Sequence, residues 1–307
     1  MSNKPPASST ATCTAAPLSI CASSSRERNL LSAALESLAD VIRRHGLDAR
    51  KALGQHFLLD PGITEHIAAL AGTLDGRHVV EVGPGPGGLT RALLATGASH
   101  VYAVELDPRA VAVIEELATA FPQRLDIIQA DALKKDLTTL CPAPRQIVAN
   151  LPYNVATPLL VGWLRQGAEW ERLTLMFQLE VAERICAAPD SEHYGRLAVL
   201  SQWCADCAIV MKLPPGAFSP PPAVWSAVAS ITPHKSQPDP ALFRAMEQVT
   251  AAAFGQRRKM LRGALKGLKG NALLERAEID GTRRAETLTI DEFDRLARAW
   301  RTLAGQP

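Results

Sequence analysis

Glu81-Val-Gly-Pro-Gly-Pro-Gly-Gly88 decides the fold. It leaves the short apolar run His78-Val-Val-Glu-Val82 and enters a helix-patterned stretch, Leu89 to Leu94. Glycines let a backbone turn sharply and lie close to a ligand, where any side chain would intervene. A tight turn alone would explain the glycines. The next apolar run, Val101-Tyr-Ala-Val104, ends at Glu105, roughly twenty residues beyond Gly83. A doubly wound α/β fold places an acid there to accept hydrogen bonds from ribose hydroxyls. Asp131 follows a third run, Leu125-Asp-Ile-Ile128, where it can meet an adenine edge. Dinucleotide and S-adenosylmethionine binding both remain open at this point.

Working outward, Arg109 to Ala120 reads as a helix, and Gln146-Ile-Val-Ala149 and Leu173-Thr-Leu-Met-Phe177 as further strands. Strands alternating with helices imply right-handed crossovers and a mainly parallel sheet covered on both faces. Leu30 to Arg44 carries apolar residues at 30, 31, 34, 35, 38, 41 and 42, a helical stripe. Before it, residues 1–28 are rich in Ser, Thr, Ala and Pro without periodicity, which predicts a disordered tail. A secretory signal is excluded by the interrupted stretch from Cys13 to Ile20, and a transit peptide is disfavoured because no arginine precedes Arg26. The proline-rich Thr232 to Pro240 reads as a linker. Beyond it the chain is helical, with helices expected at Leu242 to Phe254, Arg257 to Leu268 and Ile290 to Leu303. The expected organisation is a domain over 29–232 and a smaller all-helical one over 241–307.

Composition agrees. Of 307 residues, 47% are hydrophobic and 21% charged, which suits a soluble α/β protein and excludes global disorder. No apolar run reaches the roughly 18 residues of a membrane span. The six cysteines are sparse and irregular, as in a reduced cytoplasmic protein.

Asn150-Leu-Pro-Tyr153 directly follows the fourth strand. The exocyclic nitrogen of adenine is a poor nucleophile because its lone pair is delocalised into the ring. Acceptors for its two protons favour the pyramidal, nucleophilic form. The Asn150 side-chain oxygen and the Leu151 carbonyl suit that role, Pro152 restricts Leu151, and Tyr153 offers a face for an unstacked base. Asn and Pro also favour a plain strand-ending turn, so the tetrad gains meaning from the glycine loop and acids before it.

With these motifs the chain resembles the ribosomal RNA adenine N6,N6-dimethyltransferase family of the KsgA type, from about Arg50 to Arg298. The likeness rests on Lys51-Ala-Leu-Gly-Gln-His-Phe-Leu58, the glycine loop, Glu105-Leu-Asp107, Gln129-Ala-Asp-Ala132 and Asn150-Leu-Pro-Tyr153. Further on it includes Tyr194-Gly-Arg-Leu197, Phe218-Ser-Pro-Pro-Pro222 with Ser226-Ala-Val228, and Phe254-Gly-Gln-Arg-Arg-Lys259. The resemblance implies a Rossmann-like methyltransferase domain with a C-terminal helical domain. It implies S-adenosylmethionine held by His56, Leu58, Gly83, Glu105, Asp131 and Asn150, and a target base sandwiched by Tyr153 and Phe218. The implied substrate is a pair of adjacent adenines in the 3′-terminal hairpin loop of small-subunit (16S) ribosomal RNA, met on a pre-30S particle by a cytoplasmic monomer. Two positions depart from the family. His56 replaces the usual asparagine, keeping a donor but adding bulk and a titratable ring, and Leu179 stands where a lysine is common.

Between Gly255 and Gly270 lie Arg257, Arg258, Lys259, Arg262, Lys266 and Lys269, with no acid among them. Such like charge repels itself unless a polyanion meets it, and beside a base-methylating site an RNA backbone is the expected partner. Leu261, Leu265 and Leu268 mark the packing face. Cys204-Ala-Asp-Cys207 has zinc-ligand spacing without a second pair, so buried thiols and no metal are expected. A DNA adenine or protein glutamine methyltransferase is the nearest rival, but those use Asp-Pro-Pro-Tyr or Asn-Pro-Pro-Tyr. An assembly factor without catalysis conflicts with intact Asn150, Tyr153, Glu105 and Asp131, and a nicotinamide dehydrogenase lacks any hydride-transfer acid or base.

Overall fold

The computed structural model describes residues 35–47, 56–256 and 259–305. The expected tail, the segment Lys51 to Gln55, and Arg257 and Arg258 lie outside the described residues.

Along the chain, α1 (Leu38–Arg44) and β1 (Phe57–Leu58) precede α2 (Pro61–Leu70). Then come β2 (His78–Val82), α3 (Gly88–Leu94), β3 (His100–Glu105), α4 (Pro108–Ala120), β4 (Leu125–Gln129) and β5 (Arg145–Asn150). They are followed by α5 (Tyr153–Gln166), β6 (Arg172–Gln178), α6 (Leu179–Ile185), α7 (Arg196–Cys204), β7 (Ala205–Leu213), β8 (Phe218–Ser219) and β9 (Ser226–Pro233). The C-terminal part comprises α8 (Pro240–Phe254), α9 (Leu261–Ala264), α10 (Gly270–Ala277) and α11 (Ile290–Leu303).

The main sheet runs β4-β3-β2-β5-β6-β9-β7. The first five strands are parallel, while β9 pairs antiparallel with both β6 and β7. After β2 the chain moves to β3 and β4, then returns to β5 on the other flank of β2. The loops after β2 and β5 therefore diverge from one point at the carboxyl edge, the place where such sheets bind ligands. A two-stranded ribbon stands over that edge, with Leu58 opposite Phe218 and Phe57 opposite Ser219.

Alternation along the strands splits the core. Ile147, Ala149, Leu175, Phe177, Ala227 and Ala229 share one buried cluster with α5, α7 and the C-terminal helices. Val148, Met176 and Val228 point to the other face, with Leu89 and Leu93 of α3 and Ile67 of α2. The C-terminal helices pack on α7, and Phe243, Met246, Phe293 and Leu296 are fully buried.

One expected helix needs correction. Arg257 to Leu268 is not one helix among its described residues: α9 covers only Leu261–Ala264, and a single 3-10 turn follows at Lys266–Leu268. Glycines at 263, 267 and 270 lower helix propensity, and Lys269 sits in the left-handed region at φ 59°. The packing face nonetheless holds, since Leu261 and Leu265 are fully buried. Cys204 is buried, and burial pushes its thiol up to about 12, as befits an inert core residue. Among the described residues no group of three or more His, Cys, Asp or Glu side chains could hold a metal.

Candidate active site

Beyond β2 the chain makes three left-handed glycine turns, at Gly83 (φ 72°), Gly85 (φ 54°) and Gly87 (φ 88°). A side chain at Gly85 would place its Cβ 3.1 Å from the Phe57 ring, and one at Gly88 would place it 2.7 Å from the Leu58 carbonyl oxygen. The loop can thus lie beneath β1 only as glycine, and a cavity opens between them. Its wall gathers His56, Leu58, Gly83, Glu105, Asp131, Asn150, Leu151 and Tyr153. Every residue expected to hold the cofactor is there, together with all four residues of the Asn150–Tyr153 tetrad.

Glu105 ends β3, and its Oε1 accepts backbone N–H bonds from Leu106 (2.7 Å) and Asp107 (2.8 Å), while Oε2 accepts a longer one from Gly85 (3.4 Å). Burial pushes this carboxyl up, and those three N–H groups oppose the shift. Asp131 uses Oδ1 to accept from Leu133 N–H at 3.0 Å, fixing the loop after β4. Leu106 and Leu133 are exposed at the same mouth, apolar surfaces that spacing arguments did not select. Glu81 was also missed. It lies within β2, fully buried, and its Oε2 has no hydrogen-bond partner among the described residues. Burial pushes it up to about 8, with the Thr90 hydroxyl working against the shift and Glu105 adding to it. Its place inside the glycine-loop motif was the available signal, but an apolar strand context hid it.

On the β5 side, the Asn150 Nδ2 donates to the His56 carbonyl at 3.2 Å. A carbonyl only accepts, so this contact assigns the amide and leaves Oδ1 as an acceptor. Tyr153 opens α5, and its hydroxyl lies 2.7 Å from the Ser226 hydroxyl at the start of β9. Phe218 goes elsewhere: it is 5% exposed, packs with the core and lines a separate cavity beyond the β1·β8 ribbon, beside Ile63 and Met211. The ring that faces Tyr153 is His56, with centroids 5.7 Å apart and planes inclined by 29°. Of the basic residues, Lys259, Arg262 and Lys266 are exposed near α9.

A family model described as ribosomal RNA adenine dimethylase matches residues 46–301. The ribosomal RNA small subunit methyltransferase A of Gluconobacter oxydans is 67% identical over 297 residues, covering 97% of this chain and 98% of that protein. The chain belongs to the ribosomal RNA adenine dimethylase family. A second relative of the same name, from Sinorhizobium medicae, is 54% identical over 86% of this chain and 97% of its own. Among solved structures, a dimethyladenosine transferase from Plasmodium falciparum has the same fold, with a TM-score of 0.67 at 24% identity over 78% of this chain and 96% of that one. The 23S rRNA methyltransferase ErmE matches with a TM-score of 0.59 at 25% identity, over 79% of this chain and 98% of its own. As a ribosomal RNA adenine dimethylase, the chain is an S-adenosylmethionine-dependent enzyme that methylates adenine N6 in ribosomal RNA. The cavity suits that cofactor: it has a glycine floor without Cβ atoms, and its wall includes Glu105 and the buried Glu81 carboxyl, whose Oε2 has no hydrogen-bond partner among the described residues.

Proposed function

We propose that this enzyme dimethylates two adjacent adenosines in the 3′-terminal hairpin loop of 16S ribosomal RNA, acting as a cytoplasmic monomer on a pre-30S particle. The carrying observation is a single cavity that joins the Gly83–Glu105–Asp131 end to Asn150 and Tyr153. His56, Leu58, Gly83, Glu105, Asp131 and Asn150 hold the cofactor, and Leu106 and Leu133 flank its adenine. Bound there, S-adenosylmethionine supplies an electrophilic methyl carbon. Asn150 Oδ1 and the Leu151 carbonyl accept the N6 protons, so the nitrogen lone pair is withdrawn from the ring and faces the donor. Pro152 holds that carbonyl, and Tyr153 supports the flipped base. The proton released after each transfer passes to solvent. The C-terminal helical part, 241–307, meets the RNA backbone through Arg257, Arg258, Lys259, Arg262 and Lys266.

The test is incubation with tritiated S-adenosylmethionine and unmethylated small subunits, followed by nucleoside analysis. Label in N6,N6-dimethyladenosine at two neighbouring hairpin positions is the expected result. Label elsewhere in the RNA, or monomethylation alone, would overturn the reading.

A further inference from the structure

We propose that Trp225 is an RNA contact, an exposed indole on which a base neighbouring the target adenosine stacks. This rests on the adenine-methylating reading above and carries the RNA path beyond the cavity. The segment from Phe218 to Ser226 was expected to bring one ring to the site, yet Phe218 is buried. The ring this segment exposes is Trp225, which is 49% accessible. Of the five tryptophans, Trp163 and Trp170 are buried, while Trp203 and Trp300 are half-buried and donate their indole N–H groups to Asp294 and Gln248. Trp225 is the exposed one, and among the described residues no other ring packs on it. An indole left in water forgoes the burial of a large apolar surface, which an occupant recovers.

Its place in the fold points to the occupant. Trp225 stands at the carboxyl edge of the sheet, one residue before β9, and its carbonyl accepts the Leu179 N–H at 2.8 Å just past the end of β6. The next residue, Ser226, holds the Tyr153 hydroxyl. Earlier in the same loop, the Pro220 carbonyl accepts a hydrogen bond at 2.8 Å from Nδ1 of His56, a residue of the cavity wall. The loop is thus pinned to the cavity rim at Pro220 and at Trp225, so binding there carries little further ordering cost. Only β6 separates β9 from β5, the strand that ends at Asn150, which sets the two about 10 Å apart. An RNA strand that delivers a flipped base to Asn150 passes this rim within the span of a few nucleotides. Charge decides which part of the strand meets it. Between Lys212 and His234 the sequence has no charged residue, so the loop cannot neutralise phosphates. A flat apolar ring takes the face of a base, whichever base it is.

The experiment compares wild type with Trp225→Ala, Trp225→Leu and Trp225→Phe on unmethylated small subunits at saturating S-adenosylmethionine, with cofactor affinity measured separately by calorimetry. Because the ring is exposed, each variant is expected to melt close to wild type. The Ala and Leu variants are expected to raise KM for the subunits about tenfold, the loss of one base stack. Their kcat and cofactor Kd should stay within about threefold of wild type. Trp225→Phe, which keeps a flat face, is expected to hold KM within about threefold. Wild-type KM in Trp225→Ala would overturn the proposal. So would a Leu variant that binds as well as wild type, since an apolar contact with a ribosomal protein would then explain the exposure. A Phe variant as weak as Leu would overturn it too, because bulk and not a flat face would then matter. Wild type that labels no adenosine would instead sink the functional reading on which this rests.

Discussion

The Tyr153 hydroxyl lies 2.7 Å from the Ser226 hydroxyl, joining the first residue of α5 to the first residue of β9. Tyr153 follows β5 in the parallel part of the sheet and Ser226 opens the antiparallel β9, so the bond fixes the ring relative to both. Burial also pushes the Tyr153 hydroxyl up, which keeps it a neutral hydrogen-bonding group throughout the working range. Tyr153→Ala is expected to leave cofactor affinity nearly intact and cut methyl transfer by one to two orders of magnitude, since stacking is worth roughly 1 to 3 kcal/mol per base. Ser226→Ala should cost less, several-fold in kcat, because a single neutral hydrogen bond contributes about 1 kcal/mol. Single-turnover rates with saturating cofactor check both. Equal rates for Tyr153→Ala and wild type would show that the ring does not hold the base.

Glu105 is the second test. Its Oε1 is occupied by two backbone N–H groups, which orient the carboxylate and leave Oε2 facing the cavity with only the long Gly85 contact. Glu105→Ala should weaken S-adenosylmethionine binding roughly tenfold to a hundredfold, the loss of a charge-assisted bond worth about 1.5 to 3 kcal/mol. Calorimetry on folded mutant protein measures it, and an unchanged Kd would remove Glu105 from the ribose.

Glu81 makes stability depend on pH. Its carboxyl is pushed up to about 8 in the fold, above an unfolded value of 4.5. Below the unfolded value both states are protonated and folding loses nothing. As pH rises from 4.5 toward 8, the unfolded chain releases a proton that the folded chain retains, so stability falls across that window and levels off above it. Glu81→Gln removes this dependence. Relative to wild type, the variant should gain stability between about pH 5 and about pH 8.5 by an amount on the order of a few kcal/mol. Denaturant titrations at the two pH values check it. A wild-type-to-variant difference that stays constant with pH would place a charged or solvated carboxylate at this position.

How much of this was legible in the sequence depended on whether a signal was local. The strand–glycine–helix unit at His78 to Leu94 and the acid at Glu105 are local patterns, and the structure keeps them within a residue or so. The antiparallel end was not legible. Ala205–Leu213 is mostly apolar and runs on from the helix at Cys204 without a glycine or proline, so no alternation marks the change to strand. The helix over Arg257 to Leu268 fails for the opposite reason: the apolar spacing at 261 and 265 is real, but the glycines between shorten it. Within the site, sequence order could not reveal that His56 and Pro220 meet, since their contact arises from ribbon register across more than 160 positions. Motif likeness set Phe218 across the target base from Tyr153, whereas in the structure Phe218 is buried in the core.

The last prediction concerns the basic segment. Lys259, Arg262 and Lys266 are exposed, and none of them forms a salt bridge within the described residues. The segment is held from beneath: Leu261 and Leu265 are fully buried, and Leu261 and Arg262 donate backbone N–H bonds to Arg283 and Gly281 carbonyls at 2.8 and 3.0 Å. A scaffold fixed in this way can present charge without paying the entropy of ordering it on binding. Charge reversal at Lys259, Arg262 and Lys266 should therefore leave folding and cofactor affinity unchanged. Binding to small subunits should weaken, and the slope of log K against log salt should become shallower by roughly 0.7 to 0.9 for each phosphate that is no longer neutralised. Phosphate contacts orient the RNA without reading it, so the methylated position should stay the same in whatever product still forms. Filter binding over a range of salt concentrations gives the slopes. Identical slopes for the triple variant and wild type would show that this face does not touch RNA.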